Sequence, residues 1–219
     1  MSETRVDLKD IKNDIELYVE SRDKFLRLMM EYQCAILEIR TKFEVLNTEL
    51  SLDSESNPIE SMTTRLKKPS SIIEKLKRRN LPLTVDSIRE NLHDVAGVRV
   101  ICSFVKDIYL LADKICSQDD IRVIERKDYI KKPKGNGYRS LHLILEVPVF
   151  FITGKKWMKV EVQLRTIAMD FWASIEHKIK YKKEIDDIEF ISTKLKKCAD
   201  NINSLDDEME IISEIIKRK

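Results

Sequence analysis

The stretch SLHLILEVPVFFITGKKWMKVEVQLR, residues 140–165, decides the fold of this chain. Apolar and polar residues alternate in SLHLILEV (140–147) and again in WMKVEVQLR (157–165). A period of two is typical of β-strands that bury one face. A turn near Gly154 separates the two segments, and we expect them to pair. That pairing would put His142 on the same polar face as Glu161 and Gln163.

Further strands and helices alternate on both sides of this pair. Ser70 after Pro69 and Thr84 are good N-cap residues for two short helices. The alternation predicts an α+β fold with a mixed β-sheet core flanked by helices. The other predicted strands span 98–104 and about 121–127, and the predicted helices span about 70–80, 85–92, 107–117 and 167–181.

Both ends of the chain show apolar residues at alternating steps of three and four, the pattern of a helix with an apolar stripe. The N-terminal stripe runs from Ile11 to Leu50 and is interrupted only at Arg22, which favours a helix break near 21–23. The C-terminal stripe runs from Ile188 to Ile216. Each stripe either packs on the central domain or supports subunit assembly, and the pattern leaves both open. The predicted units are an N-terminal helical arm with a polar linker (1–58), a core (59–183) and a C-terminal helical arm (184–219).

Composition narrows the class of protein. The chain has 40 Lys and Arg against 38 Asp and Glu, so its net charge of +2 points to no particular partner. The start of the chain has no signal-peptide pattern, and no apolar run is long enough to span a membrane. These features predict a reduced, cytoplasmic protein without a membrane partner. Disulfides and a zinc site are not expected, because the four cysteines are scattered: Cys34, Cys102, Cys116 and Cys198.

The polar face of the predicted sheet is a candidate site. Arg99 lies on the strand 98–104 and could join His142, Glu161 and Gln163 on this face. Arg165 lies on the same face, at the end of the strand 157–165. A solvated face is the ordinary interpretation of polar residues on a sheet. One acid, an amide, an imidazole and two guanidinium groups on one face instead indicate a polyanion site with a metal.

The basic run RLKKPSSIIEKLKRR, residues 65–79, holds seven basic residues and one acid. Ser71, Lys75 and Arg78 are spaced i, i+4 and i+7, so they share one helix face. The apolar residues of this helix, Ile72, Ile73 and Leu76, are expected to face the core. This segment alone leaves three interpretations open: a triphosphate site, an RNA-backbone site and a solvated face.

Two further motifs carry possible chemistry. In HDVAGVR (93–99), Asp94 is either a magnesium ligand or a residue that ends a helix and has no chemical role. The chain has three histidines, which are too few for a multi-histidine hydrolase centre. In KPKGNGYRSLH (132–142), two glycines allow tight turns beside Lys134, a charge for phosphate, and Tyr138, a ring for a base. The alternative is a plain hairpin loop.

Together these segments resemble the synthetase domain of the RelA/SpoT family, and specifically its small alarmone synthetases. The matching elements are RLKKPSSIIEKLKRR, HDVAGVRVICSF, KDYIKKPKGNGYRSLHL and EVQLRTIAMDFWASIEHKIKYK, in the family's order over roughly 60–183. The resemblance implies a nucleotidyltransferase-like sheet that uses Mg²⁺. It also implies transfer of the β,γ-pyrophosphate of ATP to the 3′-hydroxyl of GDP or GTP, which yields guanosine tetra- or pentaphosphate, respectively, and AMP.

The resemblance also implies roles for individual residues. Glu161 is the implied base for the 3′-hydroxyl, and Lys127 matches a basic position of open role. The other roles fall into four sets: Arg65 and Arg99 sandwich adenine; Lys67, Ser71, Lys75 and Arg78 contact the ATP phosphates; Asp94 and Glu161 bind magnesium; and Tyr138 stacks on guanine while Lys134, Asn136, His142, Gln163 and Arg165 contact the guanosine nucleotide.

Three expectations concern the whole protein. Long members of the family carry a histidine-rich hydrolase domain, and three histidines are too few for one, so we expect synthesis without hydrolysis. The resemblance implies assembly as a homotetramer, and no nucleic acid is expected to be required. Two rival hypotheses are a non-catalytic RNA-binding protein that uses residues 65–79, and a helical assembly module with a degenerate enzyme core. The sequence leaves the preference among GMP, GDP and GTP open.

Overall fold

The computed structural model describes residues 8–53, 57–180 and 188–217. Side chains at the edges of these ranges, including those of Ile11, Ile15, Tyr18 and Ile188 in the predicted stripes, lie outside the described part, as does the predicted boundary at 183/184. The elements follow in the order α1 (Leu8–Asp53), β1 (Ile59–Leu66), α2 (Pro69–Arg78), α3 (Val85–Asn91), β2 (Ala96–Cys102), α4 (Val105–Cys116), β3 (Arg122–Asp128), β4 (Leu141–Phe151), β5 (Gly154–Thr166), α5 (Ile167–Lys180) and α6 (Ile188–Lys217).

The strands form one mixed five-stranded sheet with the order β1-β2-β5-β4-β3. Only β2 and β5 pair in parallel, and the other neighbours pair antiparallel. The predicted hairpin is confirmed: β4 and β5 pair along their whole lengths, with His142 opposite Gln163 and Phe151 opposite Gly154. The mixed sheet flanked by helices agrees with the predicted fold class.

Strand β1 was not predicted. It forms the edge of the sheet and pairs with β2 alone, and most of its residues are exposed. An edge strand that buries little needs no alternating apolar pattern, so the sequence carries no strand signal there. Its position matters for function, because Arg65 and Lys67 come at and just after its end.

Helix α1 covers the apolar face of the sheet, whose side chains include Val98, Val160 and Leu143. Its stripe is buried from Leu28 to Leu46 within the main core. This part of the N-terminal stripe therefore packs on the central sheet. The predicted helix break at 21–23 is wrong, because α1 continues through these residues. Ser, Arg and Asp are tolerated in an exposed helix, and the segment contains neither proline nor glycine.

Short helices α2 and α3 lead the chain from β1 to β2. Helix α2 begins at Pro69 with Lys68 as its N-cap, so the predicted Ser70 cap is wrong: proline at the first helical position already fixes the helical φ. Ile73 is 42% exposed and does not face the core as expected. The Thr84 cap of α3 is confirmed, since its hydroxyl accepts from the Ser87 amide at 3.2 Å.

Helix α6 packs mainly on α5 and also contacts α4. Leu195 and Ala199 join Trp172 in a second, small apolar cluster that Tyr138 also contacts. Farther along α6 the stripe is exposed at Leu205, Met209, Ile212 and Ile216. Among the described residues, no helix combines the length and apolar character needed to cross a membrane.

Candidate active site

A cavity of about 370 Å³ opens on the polar face of the sheet, where β1, β2 and β5 run side by side. It contains predicted residues of both the ATP set and the magnesium set. Its lining comprises Thr63, Thr64, Arg65, Lys67, Asp94, Gly97, Val98, Arg99, Glu161 and Gln163.

Strand register explains this convergence. Gly97 pairs with Arg65 on one side and with Glu161 on the other, so the three residues form one row across the sheet. The next row on the same face contains Arg99 and Gln163. Since glycine has no side chain, the row leaves open space between the Arg65 guanidinium and the Glu161 carboxylate, where a ligand can lie against the backbone.

Asp94 is the centre of the cationic side of the cavity. Its Oδ2 atom accepts hydrogen bonds from Lys67 Nζ and Lys75 Nζ, both at 2.6 Å. Burial alone would raise the pKa of Asp94, but the two ammonium groups outweigh it and lower that pKa. Burial lowers the pKa of Lys75, although Asp94 opposes the shift. The carboxylate thus holds two cations at the cavity wall when no anionic ligand is bound.

Glu161 connects this cavity with the aromatic loop. Its Oε1 atom lies 3.2 Å from His142 Nδ1, and Gln163 Nε2 donates to its Oε2 atom at 3.2 Å. His142 Nε2 in turn lies 2.7 Å from the Tyr138 hydroxyl. Burial alone would raise the pKa of Glu161, but hydrogen bonding and charge from His142 lower it. The carboxylate is therefore ionised near neutral pH, which a proton acceptor requires.

The loop that carries Tyr138 is a tight turn. Gly137 donates to the Lys134 carbonyl at 2.8 Å, and Lys134 donates back to the Tyr138 carbonyl at 3.1 Å. Gly137 has φ +90°, a conformation that side-chain-bearing residues rarely adopt. Gly135 lacks a positive φ, so only one of the two glycines supplies the expected backbone freedom. Lys134 Nζ lies over the rings of Tyr129 and Tyr138, 4.6 and 4.9 Å from their centroids.

Arg165 is a buried residue near the end of β5, on the same face as Gln163, and it holds other side chains in place. It donates to the Tyr138 hydroxyl at 2.6 Å, to Gln163 Oε1 at 3.0 Å and to Asp170 Oδ1 at 3.0 Å. Asp170 also pairs with Arg99, 3.2 Å away. With only 5% of its surface exposed, Arg165 is placed to orient ligand-contacting groups more than to meet a ligand itself.

Some predicted site residues do not line the cavity. Ser71 and Arg78 lie on α2, with Ser71 half-buried and Arg78 exposed, and only Lys75 of their helix face reaches Asp94. Asn136 is used within the fold: its amide donates to Glu176 at 3.0 Å and its oxygen accepts from the Tyr138 amide. Lys127 lies opposite His142 in the sheet and pairs with Glu125 at 2.7 Å.

The structure adds residues that sequence reasoning missed. Tyr129 lies 5.3 Å from His142 and 6.0 Å from Tyr138 between ring centroids. Its place within KDYIKKPKGNGYRSLHL was the available signal. Thr63 and Thr64 line the cavity from β1, and they were missed together with that strand. Asp170 follows Arg165 by five residues on α5, and no local pattern marks such a pair.

The donor groups fit a hard divalent cation. Asp94 and Glu161 both line the cavity, and Asp94 Oδ1 is buried without a hydrogen-bond partner among the described residues. The described part of the chain contains no group of three or more His, Cys, Asp or Glu side chains arranged for a metal. Two carboxylates suit Mg²⁺, which is usually bound by one or two of them together with substrate phosphates and water.

Enzymes that move phosphoryl groups between nucleotides need cations for the phosphates and a carboxylate beside them. The polar sheet face offers both kinds of group, an arrangement that suits a transferase acting on nucleotides. Residues 64–186 match the family described as a region found in RelA / SpoT proteins. The chain belongs to this family, as its motifs led us to expect.

Similar proteins give the same assignment. The GTP pyrophosphokinase YwaC of Bacillus subtilis is 44% identical over 181 residues, which cover 83% of this chain and 86% of that protein. The crystal structure of small alarmone synthetase 2 from B. subtilis has a TM-score of 0.78 at 41% identity and covers 87% of this chain and 98% of that one. Small alarmone synthetase 1 from the same organism, solved with its product pppGpp, has a TM-score of 0.80 at 33% identity and covers 89% and 99%.

Proposed function

We propose that this chain is a GTP pyrophosphokinase that transfers the β,γ-pyrophosphate of ATP to the 3′-hydroxyl of GDP or GTP and releases AMP. The observation that carries the proposal is the position of Glu161. It lies on β5 between a cavity with cationic walls and the Tyr138–His142 pair, so it can contact reacting groups of two nucleotides. The names of the relatives agree with this reaction.

The cavity beside β1 and β2 is the proposed ATP site. Arg65 and Arg99 extend from neighbouring strands and offer planar guanidinium groups to stack on adenine. Lys67 and Lys75 are the proposed phosphate contacts, since they already face an anion, the Asp94 carboxylate. Ser71 and Arg78 extend this set along α2. Bound phosphates would compete with Asp94 for the two ammonium groups and leave that carboxylate free for a metal.

The loop side is the proposed guanine-nucleotide site. The Tyr138 ring is the stacking surface for guanine, and its hydroxyl is anchored to Arg165 and His142. Lys134 is exposed over that ring and can meet a phosphate. His142, Gln163, Asn136 and Arg165 either contact the nucleotide or fix the groups that do.

The chemistry needs alignment more than covalent participation of the protein. Mg²⁺, held by Asp94 and Glu161 in this proposal, would neutralise charge on the ATP phosphates. Glu161 accepts the proton of the 3′-hydroxyl as attack on the β-phosphorus proceeds. Hydrogen bonds from His142 and Gln163 keep its carboxylate ionised and oriented. Alignment of the two nucleotides supplies the rest of the rate enhancement.

We further propose a synthesis-only, cytoplasmic enzyme that assembles as a homotetramer. Three histidines are too few for a multi-histidine hydrolase centre. Leu205, Met209, Ile212 and Ile216 form an exposed apolar stripe on α6, a surface that suits contact with another copy of the chain. Sedimentation analysis would test this assembly, and a monomer at micromolar concentration would contradict it.

The function is tested with purified protein, Mg²⁺, ATP labelled at the γ-phosphate and each of GMP, GDP and GTP. Label should move to the guanine nucleotide as AMP accumulates in equal amount. The rival RNA-binding hypothesis expects no transfer, and RNA binding that weakens steeply with salt. Release of labelled phosphate without a labelled guanine product would contradict the proposal.

A further inference from the structure

We propose that α6 is a positioning element for the guanine-nucleotide site, and that it acts through contact of Ala199 with Gly137. The inference rests on the proposed function, because it assigns a role in binding the acceptor nucleotide. Residues 64–186 match the family, so α6 (Ile188–Lys217) lies beyond the matched region. Its link to the site comes from its contacts alone.

The contact between Ala199 and Gly137 leaves no room for a methyl group on Gly137. A methyl group built on Gly137 would come within 2.5 Å of Ala199 Cβ and 3.6 Å of Lys196 Cα. Gly137 is therefore required for two independent reasons: its φ of +90° and the helix pressed against it. Ala199 is itself buried, at 6% exposure. Two of the smallest residues face each other, so the helix meets the loop almost backbone to backbone.

Two hydrogen bonds hold α6 in its position against the loop. Trp172 of α5 donates its indole N–H to the Leu195 carbonyl at 2.9 Å. Asp206, about two helical turns beyond Ala199, accepts a hydrogen bond from the buried Thr166 hydroxyl at 2.6 Å. Bonds at both ends of the contact prevent α6 from sliding or tilting away from the loop.

The position of Tyr138 depends on this contact. Tyr138 follows Gly137 directly and packs against the cluster of Trp172, Leu195 and Ala199. One side of the tyrosine is thus set by α6, and its hydroxyl is set by Arg165 and His142. The ATP cavity is lined by residues of β1, β2, β5 and the segments beside them, and α6 contributes none of its lining. A disturbance of the Ala199 contact should therefore affect the guanine nucleotide and spare ATP.

The first test is Ala199→Val, which adds two methyl groups at the contact. We expect kcat/KM for GTP to fall by about tenfold to a hundredfold, mainly through KM, because a misplacement of about 1 Å can cost about 10²-fold. The KM for ATP should stay within about twofold. Cys198→Val is the matched control, since it puts the same β-branched residue at an exposed neighbouring position.

A rescue experiment checks the contact itself. Gly137→Ala should impair use of GTP, and Ala199→Gly added to it should restore part of the loss by removing the clashing methyl group. Equal loss in the single and double variants would overturn the proposed contact. A parallel rise in KM for both nucleotides in Ala199→Val, with a lower melting temperature, would show a merely structural role and overturn the proposal.

The wild-type enzyme provides a test that is independent of variant folding. Hydrogen exchange of residues 195–203 should slow when GDP is added to enzyme saturated with AMPCPP, an ATP analogue that cannot transfer its pyrophosphate. Unchanged exchange in that segment, with protection of the 132–142 loop, would overturn the role of α6. The labelled transfer assay on wild-type protein decides the proposed function separately, whatever the variants do.

Discussion

Replacement of Asp94 by asparagine should destabilise the ligand-free protein. Asp94 pairs with two ammonium groups at 2.6 Å, and the Lys67 and Lys75 side chains are only 12% and 16% exposed. Breaking a buried ion pair costs about 3–5 kcal/mol, and partial exposure of Asp94 brings the expected loss to about 2–4 kcal/mol. For a chain of this size a loss of about 3 kcal/mol lowers the melting temperature by roughly 6–12 °C. Denaturant and thermal unfolding without Mg²⁺ or nucleotide would measure it.

The pH dependence of this difference has a definite sign. The pKa of Asp94 is lowered in the folded state, because its hydrogen bonds to the two lysines outweigh the effect of burial. Its stabilising contribution is therefore fully present above the ordinary carboxyl pKa, about 4, and is lost as the pH falls through the lowered value. The stability gap between wild type and Asp94→Asn should be constant near neutral pH and narrow below about pH 4.

Asp120→Asn is the matched control for this prediction. Asp120 also binds a lysine at 2.6 Å, Lys42, but its side chain is 42% exposed. Exposed ion pairs contribute about 0–1 kcal/mol, so the control should change stability little. Equal effects of the two substitutions, or a more stable Asp94→Asn protein, would refute the view that Asp94 compensates two partly buried cations.

Two further predictions concern the nucleotides. Tyr138→Ala should raise KM for the guanine nucleotide about fivefold to a hundredfold in steady-state kinetics, because base stacking contributes about 1–3 kcal/mol. Tyr138→Phe keeps the ring and should retain most of the affinity. If Tyr138→Ala raised KM for ATP instead, that result would contradict the base assignment. Arg99→Lys should raise KM for ATP by about twofold to thirtyfold with little change in KM for GTP, because lysine lacks the planar group that stacks on adenine. A raised KM for GTP with an unchanged KM for ATP in the same assay would show that the two sites are exchanged.

Strand pairing at the centre of the sheet was predictable because the two central strands carry a clear period of two. That period put His142, Glu161 and Gln163 on one face, and the structure agrees. Strand β1 was not predictable, because an exposed edge strand needs no apolar alternation. The α1 helix was expected to break at Arg22, since a stripe shows only which positions are apolar and not whether a polar exception ends the helix.

Contacts between distant segments were beyond sequence reasoning. The pairing of Asp94 with Lys67 and Lys75 joins residues that lie 27 and 19 positions apart, which no local pattern encodes. Gly137 was expected to provide backbone freedom, and its φ supports that. Its contact with Ala199, more than sixty positions later in the chain, follows only from the way α6 packs on the loop.

The central claim is that Glu161 acts on the acceptor hydroxyl between two bound nucleotides, and Glu161→Gln tests it most directly. The glutamine keeps the size of the side chain but is a very poor proton acceptor. Transfer of labelled pyrophosphate to GTP, measured with saturating Mg²⁺, should fall by about 10²–10⁴-fold. Equilibrium binding of AMPCPP and GDP should change by no more than severalfold. Transfer at the wild-type rate, or binding lost in proportion to transfer, would contradict the account.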